Sequence, residues 1–262
     1  MIRLGHLGDM HWGLNSQTEA IWEDYFRKYI AHEKVSAWLI AGDFAADEQE
    51  QIGHCFAFLR KYIPYAIPII IVYGNHDYWS FSKKMTHSEV EKLHGELERA
   101  YNIHYLGNAS YVIEDVLIVG FDGWYHHRNP PTKDHKYLAF QWVDGKPTME
   151  FFRDKAAKDL DIILGLQTEG FRKVVGMSHF PTYVENSARE NLCGNPSFLQ
   201  HMAEFADVWL FGHSHTSEAK VVNECLLLNS GSGTKREIVD GSDPKNPVGQ
   251  YDNAPKHIVF SV

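Results

Sequence analysis

Cysteine is scarce in this chain of 262 residues: Cys55, Cys193 and Cys225 stand far apart and are odd in number. That excludes a disulfide framework and a cysteine-rich zinc site. Unpaired thiols fit a reducing compartment, so a cytoplasmic protein is expected. Long apolar runs are missing too. The most apolar stretch, Tyr62 to Tyr73, is broken by Pro64 and Pro68 and is too short to cross a bilayer. No charged start followed by a long apolar run marks a secretory signal, and no membrane partner is expected. Basic residues are outnumbered, with 25 Lys and Arg against 34 Asp and Glu, a formal charge of −9. A dedicated duplex-DNA binder needs a basic footprint, so that class is disfavoured.

What is present is ordinary globular composition, 44% apolar and 23% charged, which excludes global disorder. No repeat, low-complexity tract or linker divides the chain, and one domain over residues 1–262 is the economical expectation. Ile2–Leu7, Ala37–Ala41 and Ile67–Tyr73 read as strands. Helices are predicted over Ser16–Glu33, opened by a Ser16/Glu19 capping box, over Glu48–Lys61, and from Thr86/Glu89 to near Tyr101. A hairpin turning at Glu114-Asp115 follows over Tyr111–Val119. About Asp122–Pro147 reads as irregular, Thr148 as the cap of a helix to about Leu166, and Lys173–Met177, Val208–Phe211 and His257–Val262 as strands. The class is α/β.

Histidine is the exception to this plain composition, at 16 residues. Five strands end in residues of metal-ligand type: Asp9 and His11, Asp43, Asn75 and His76, His179, and His213 with His215. In open α/β sheets, ligands bind beyond the carboxyl ends of strands. Side chains two apart on extended backbone share a side, so Asp9/His11 and His213/His215 each project two donors into one cavity. Asn75 and Asp77 share a side on the same rule, which leaves His76 to meet a substrate. Taken singly, these residues have plainer readings. Gly42-Asp43 alone is a turn, and His179 alone is a satisfied core histidine. Only the set, each member after an apolar strand, makes ligation the simpler account.

In order, these blocks are Asp-x-His, Gly-Asp, Gly-Asn-His-Asp, a lone His and Gly-His-x-His. They resemble the signature of the calcineurin-like metallophosphoesterases, and they cover most of the chain, from Asp9 to His215. The resemblance implies a four-layer αββα sandwich, two mixed sheets flanked by helices, of the metallo-dependent phosphatase type. It implies two divalent metal ions as cofactors, for which imidazole and carboxylate ligands suit manganese, iron or zinc. On the family pattern Asp9, His11, Asp43 and His215 hold one ion, and Asp43, Asn75, His179 and His213 the other, with Asp43 bridging. Two ions about 3.5–4 Å apart clamp a phosphate and make a bridging hydroxide the nucleophile. His76 matches the proton donor to the leaving oxygen, a role worth about 10²–10⁴-fold in rate.

The chain also departs from the pattern. The Ser/Thr phosphatase branch follows Gly-Asp with a second Asp and an Arg that grips phosphate, whereas here the run is Gly42-Asp43-Phe44-Ala45-Ala46-Asp47-Glu48. Ala46 stands where many members place the carboxylate that orients the catalytic histidine, and Asp47 and Asp77 are the candidates to replace it. A dianionic monoester needs cationic partners more than a monoanionic diester does. The expected function is therefore a phosphodiesterase acting on nucleotides or short nucleic acid; the alternative is a phosphomonoesterase, on small molecules or phosphoproteins. A non-catalytic module on this fold is disfavoured, because no metal-site histidine is lost. Trp124, Tyr125, Tyr137, Phe140 and Trp142 lie among Arg128, Lys133 and Lys136, a mixture that can stack a base and steer phosphate. Trp124, Tyr125 and Arg128 are the candidate substrate-binding residues. The competing account is that these aromatics pin an irregular loop to the core.

Overall fold

Two sheets carry most of the strands. A computed structural model of the chain describes all residues except 14, 15, 47, 82, 83, 108, 125–131, 182–197 and 232–254, and leaves undescribed the side chains of 16–18, 132, 133, 135 and 198–200. In the first sheet β1 (Arg3–Leu7), β2 (Ala37–Ala41), β3 (Ile69–Val72) and β4 (Ile103–Tyr105) run parallel in that order. The chain returns at its end as β13 (Ile258–Ser261), antiparallel on the β1 edge. In the second sheet β6 (Val116–Phe121), β9 (Lys173–Ser178), β10 (Val208–Phe211) and β12 (Cys225–Asn229) are parallel. Its edges are antiparallel: β5 (Ser110–Ile113) on β6 and β11 (Glu218–Val222) on β12.

Alternation along the strands builds the layers. Leu39, Ala41, Ile70 and Val72 of the first sheet pack with Ile118, Val175, Met177 and Leu210 of the second, an apolar core between the sheets. Their neighbours Ile40, Ile69 and Ile71 belong instead to the cluster that includes Trp22 and Phe26 of α1 (Ser16–Lys28), Phe56 and Leu59 of α2 (Gln49–Tyr62) and Val90 of α3 (His87–Tyr101). On the far side Val119, Phe121 and Trp209 join Phe152, Leu160 and Ile163 of α5 (Thr148–Leu164) and Met202 of α6 (Phe198–Phe205). Helix, sheet, sheet, helix is the four-layer sandwich expected. Strands buried on both faces explain why β2 and β3 read as continuous apolar runs. Among the described residues no helix is long and apolar enough to cross a membrane.

Several boundaries move. The first helix ends at Lys28, and Ile30–His32 is a separate 3₁₀ turn. The Thr86/Glu89 capping box forms as expected. Thr148, expected as a cap, is the first helical residue after Pro147, and its hydroxyl donates to the Phe140 carbonyl. The stretch read as irregular holds α4 (Thr132–Tyr137) and a small ribbon of β7 (Trp142–Val143) and β8 (Lys146–Pro147). Both are too short to impose a hydrophobic period on the sequence. Cys55 and Cys225 are buried free thiols, and Cys193 lies outside the described residues.

Candidate metal centre

All the parallel strands that matter here end at one rim, and the loops after β1 and β2 go on pairing beyond it. The Asp9, His11 and Trp12 amides donate to the carbonyls of Gly42, Asp43 and Phe44 at 3.1, 2.9 and 2.7 Å. The backbone there is not extended. Asp9, His11, Asp43, His213 and His215 all have φ between 46° and 64°, the left-handed region. That conformation costs a residue with a Cβ roughly 1–3 kcal/mol and gathers at functional sites. Paired donors therefore reach one cavity through left-handed turns, and the alternation expected of extended backbone does not apply.

Two groups of donors result. In the first, the ligand atoms of Asp9, His11, Asp43 and His215 lie within 4.8 Å of one another, and Asp43, His179 and His213 form the second on the same measure. Asp43 Oδ2 is shared, 3.7 Å from His11 Nε2 and 3.5 Å from His179 Nε2. Within the groups, His11 Nε2 is 3.1 Å from His215 Nε2, and His179 Nε2 is 3.2 Å from both His213 Nδ1 and Asn75 Oδ1. Asp43 Oδ1 accepts the His76 amide at 2.9 Å, and Asp9 Oδ1 accepts the His213 amide at 2.8 Å.

This donor set fits divalent cations. Burial holds the His11 imidazole well below its ordinary range and lowers His179 to about 3, so both rings stay neutral with a lone pair to offer. His179 Nδ1–H donates to the Ala41 carbonyl at 2.7 Å, which fixes the tautomer and turns Nε2 towards the other donors. Burial, with Asp77 and Asp9 beside it, pushes the Asp43 carboxyl well above the usual carboxylate range. Buried carboxylates facing neutral imidazoles lack positive charge, and a divalent ion supplies it.

A family profile, calcineurin-like phosphoesterase, matches residues 2–217. The chain is a calcineurin-like phosphoesterase. It is thus a metal-dependent hydrolase of phosphate esters that uses divalent ions. No curated protein matches the sequence. Among solved structures, phosphopantetheinyl hydrolase of Mycobacterium tuberculosis is 15% identical with a TM-score of 0.65, over 86% of this chain and 87% of that one. A putative 5′-nucleotidase of Staphylococcus aureus is 11% identical with a TM-score of 0.51, over 88% of this chain and 48% of that one. At such identities the likeness concerns fold alone.

In this calcineurin-like phosphoesterase the third block departs from its sequence reading. His76–Tyr78 is a 3₁₀ turn, in which successive side chains fan out by about 120°, so Asn75 and Asp77 do not share a side. Asp77 turns inward and accepts four backbone N–H groups, from Asp43 and Gly74 at 2.8 Å, Phe44 at 2.7 Å and Ala45 at 3.2 Å. Burial pushes its carboxyl up to about 7 while those four bonds pull it down. Asp77 thus shapes the Asp43 loop and does not orient His76. Among the described residues, it is the Ala46 carbonyl that accepts from His76 Nδ1–H and sets its ring. Asp47 lies outside the described residues.

His76 lies against the donors, its ring centroid 4.6 Å from that of His11 and 3.7 Å from that of Trp79. Trp124 is elsewhere: it is 2% exposed and stacks on Phe152 at 4.1 Å and 9°, a core residue rather than an open face for a ligand. Tyr125 and Arg128 lie outside the described residues. Two supports have no role assigned from sequence. Asn229 Nδ2 donates to Gly212 O and Ser214 Oγ and holds the Gly-His-Ser-His loop. Asp134, on α4, accepts from Asn75. Asp134 sits in no recognisable block, and Asn229 opens the run Asn229-Ser230-Gly231, to which the sequence alone assigns no role.

Proposed function

We propose that the chain is a dinuclear phosphodiesterase acting on nucleotides or short nucleic acid. Asp9, His11, Asp43 and His215 hold one ion, and Asp43, Asn75, His179 and His213 hold the other. The observation that carries this reading is the position of Asp43 Oδ2 between His11 and His179, one carboxylate oxygen shared by two groups of imidazoles. When bound, divalent ions supply positive charge to the phosphoryl oxygens and acidify water, with manganese, iron and zinc all suited to these donors. With Nδ1–H committed to Ala46 O, His76 keeps Nε2 as the nitrogen that takes up a proton and delivers it to the leaving oxygen.

The preference for diesters rests on the Asp43 loop. Phe44, Ala45 and Ala46 are fully buried and none is a cation, so this loop offers no grip for a second phosphate charge. The nucleotide reading draws on rings beside His76. Trp79 leads to half-exposed Phe81, which meets Tyr137 edge to face at 4.2 Å, and Lys136 Nζ sits 4.8 Å from the Tyr137 ring centre. Aromatic faces with a cation suit a base and its phosphate. Arg128 and Tyr125 stay assigned to the substrate side on the sequence reading. The test is kcat/KM of Mn²⁺-loaded protein on bis(p-nitrophenyl) phosphate against p-nitrophenyl phosphate. The diester should win at neutral pH; a monoester preference of about tenfold or more reverses the assignment.

A further inference from the structure

Asp134 lies 59 residues from Asn75 in sequence, yet its buried Oδ1 accepts Asn75 Nδ2–H at 2.8 Å and the Trp79 indole N–H at 2.8 Å. Its place is set by the backbone. Leu138 bridges antiparallel to Trp79, with Ala139 N–H on Tyr78 O and Ser80 N–H on Tyr137 O, both at 2.9 Å, which lays α4 across the turn that follows β3.

We infer that Asp134 is a positioning residue that sets the Asn75 amide and thereby the affinity of the ion held with His179 and His213. A carboxylate only accepts, and an amide has one donating and one accepting end. With Nδ2 bound to Asp134, Asn75 Oδ1 is turned to His179 Nε2, 3.2 Å away; the opposite rotamer would set oxygen against a carboxylate. The same Oδ1 also fixes Trp79, whose ring packs on His76, so one oxygen positions both the ligand and the wall behind the proton donor. The inference rests on the reading of Asn75 as a metal ligand.

The experiment titrates Mn²⁺ alone into chelator-treated full-length protein and counts two binding steps, for wild type, Asn75→Ala, Asp134→Ala and Asp134→Asn. Losing an outer partner of a ligand costs about 10–100-fold in metal affinity. Asp134→Ala should weaken one step by that factor and leave the other unchanged, as should Asn75→Ala. Asp134→Asn keeps an oxygen that accepts, so it should fall between wild type and Asp134→Ala; if the alanine variant does not fold, the asparagine variant alone must show one weakened step. The melting temperature of metal-free Asp134→Asn, which keeps an acceptor for both buried donors, tells positioning from scaffolding, because positioning leaves it within a few degrees of wild type. If Asn75→Ala weakens a step and the Asp134 variants do not, this inference fails alone. Loss of both steps together in Asp134→Ala, with a lowered metal-free melting temperature, makes Asp134 a structural residue and overturns it. If Asn75→Ala binds like wild type, the ligand assignment falls and takes this inference with it.

Discussion

Gly74 sits against the shared Asp43 carboxylate and the His179 ring, and adding one methyl group there separates the proposed geometry from a merely similar fold. A Cβ built on Gly74 would lie 2.2 Å from Asp43 Oδ1, 2.7 Å from the Asp43 amide nitrogen and 2.7 Å from His179 Cε1. Ordinary contact begins near 3.4 Å, so the shared carboxylate and an imidazole must retreat by about 1 Å. A misplacement of that size costs about 10²-fold in rate. Overpacking should also remove about 1–3 kcal/mol of stability. Gly8, next to Asp9, is the control: its Cβ would meet nothing nearer than 3.7 Å. Gly8→Ala should therefore stay within about threefold in kcat/KM, some 0.6 kcal/mol. The assays are hydrolysis of bis(p-nitrophenyl) phosphate by reloaded protein, bound Mn²⁺, and urea unfolding after chelation. Gly74→Ala with wild-type rate and metal content would refute the placement of Asp43 and His179, and so would two equally damaged alanine variants.

Three further outcomes are expected. His76→Asn touches no proposed ligand, so it should keep its metals yet slow an alkyl diester by about 10²–10⁴-fold, or 3–5 kcal/mol, and slow a bis-nitrophenyl diester far less; equal losses on both substrates remove the proton-donor role. His6 bridges the sheets between Leu39 O and Phe211 O, both 3.3 Å away, and burial lowers it to about 4. Its folded pKa lies below the unfolded 6.5, so the unfolded chain binds the extra proton and stability falls as pH drops from 6.5 through 4, with about 2 kcal/mol gone by pH 5. Urea unfolding of wild type and His6→Asn at pH 7 and 5 should differ in slope by that amount, and parallel slopes contradict it. Phe81→Ala should cut kcat/KM on thymidylyl-thymidine about tenfold while sparing methyl p-nitrophenyl phosphate, which carries no base, because a stacked base is worth about 1–3 kcal/mol; equal effects on both would dismiss the stacking role.

Strand ends were legible because they combine two local signals, a short apolar run and a polar turn after it. β2 and β10 fall where the sequence puts them, and the hairpin turns at Glu114-Asp115, where Ile113 pairs with Val116. The donors of the centre are legible for the same reason: each follows its strand directly. What the sequence hid is conformational or distant. Left-handed φ at Asp9, His11 and Asp43 leaves only a weak mark in residue type, because Asp and His favour that region but are also common elsewhere. The support from Asp134 to Asn75 spans 59 residues and depends on Leu138 pairing with Trp79, which no local pattern announces. The Ala46 carbonyl is invisible by nature, because every residue has one. Trp124 misled as a candidate because a buried aromatic and a stacking platform share one composition, and only its contact with Phe152 tells them apart.

Asp43 is where the account can be tested in a single step, because one oxygen is assigned to both ions. Elemental analysis of Asp43→Ala, reloaded with Mn²⁺ and dialysed beside wild type and His11→Ala, should find both ions lost from Asp43→Ala. In His11→Ala one ion should be weakened and the other kept. Two tightly held ions per chain in Asp43→Ala would contradict the shared carboxylate and the dinuclear centre built on it.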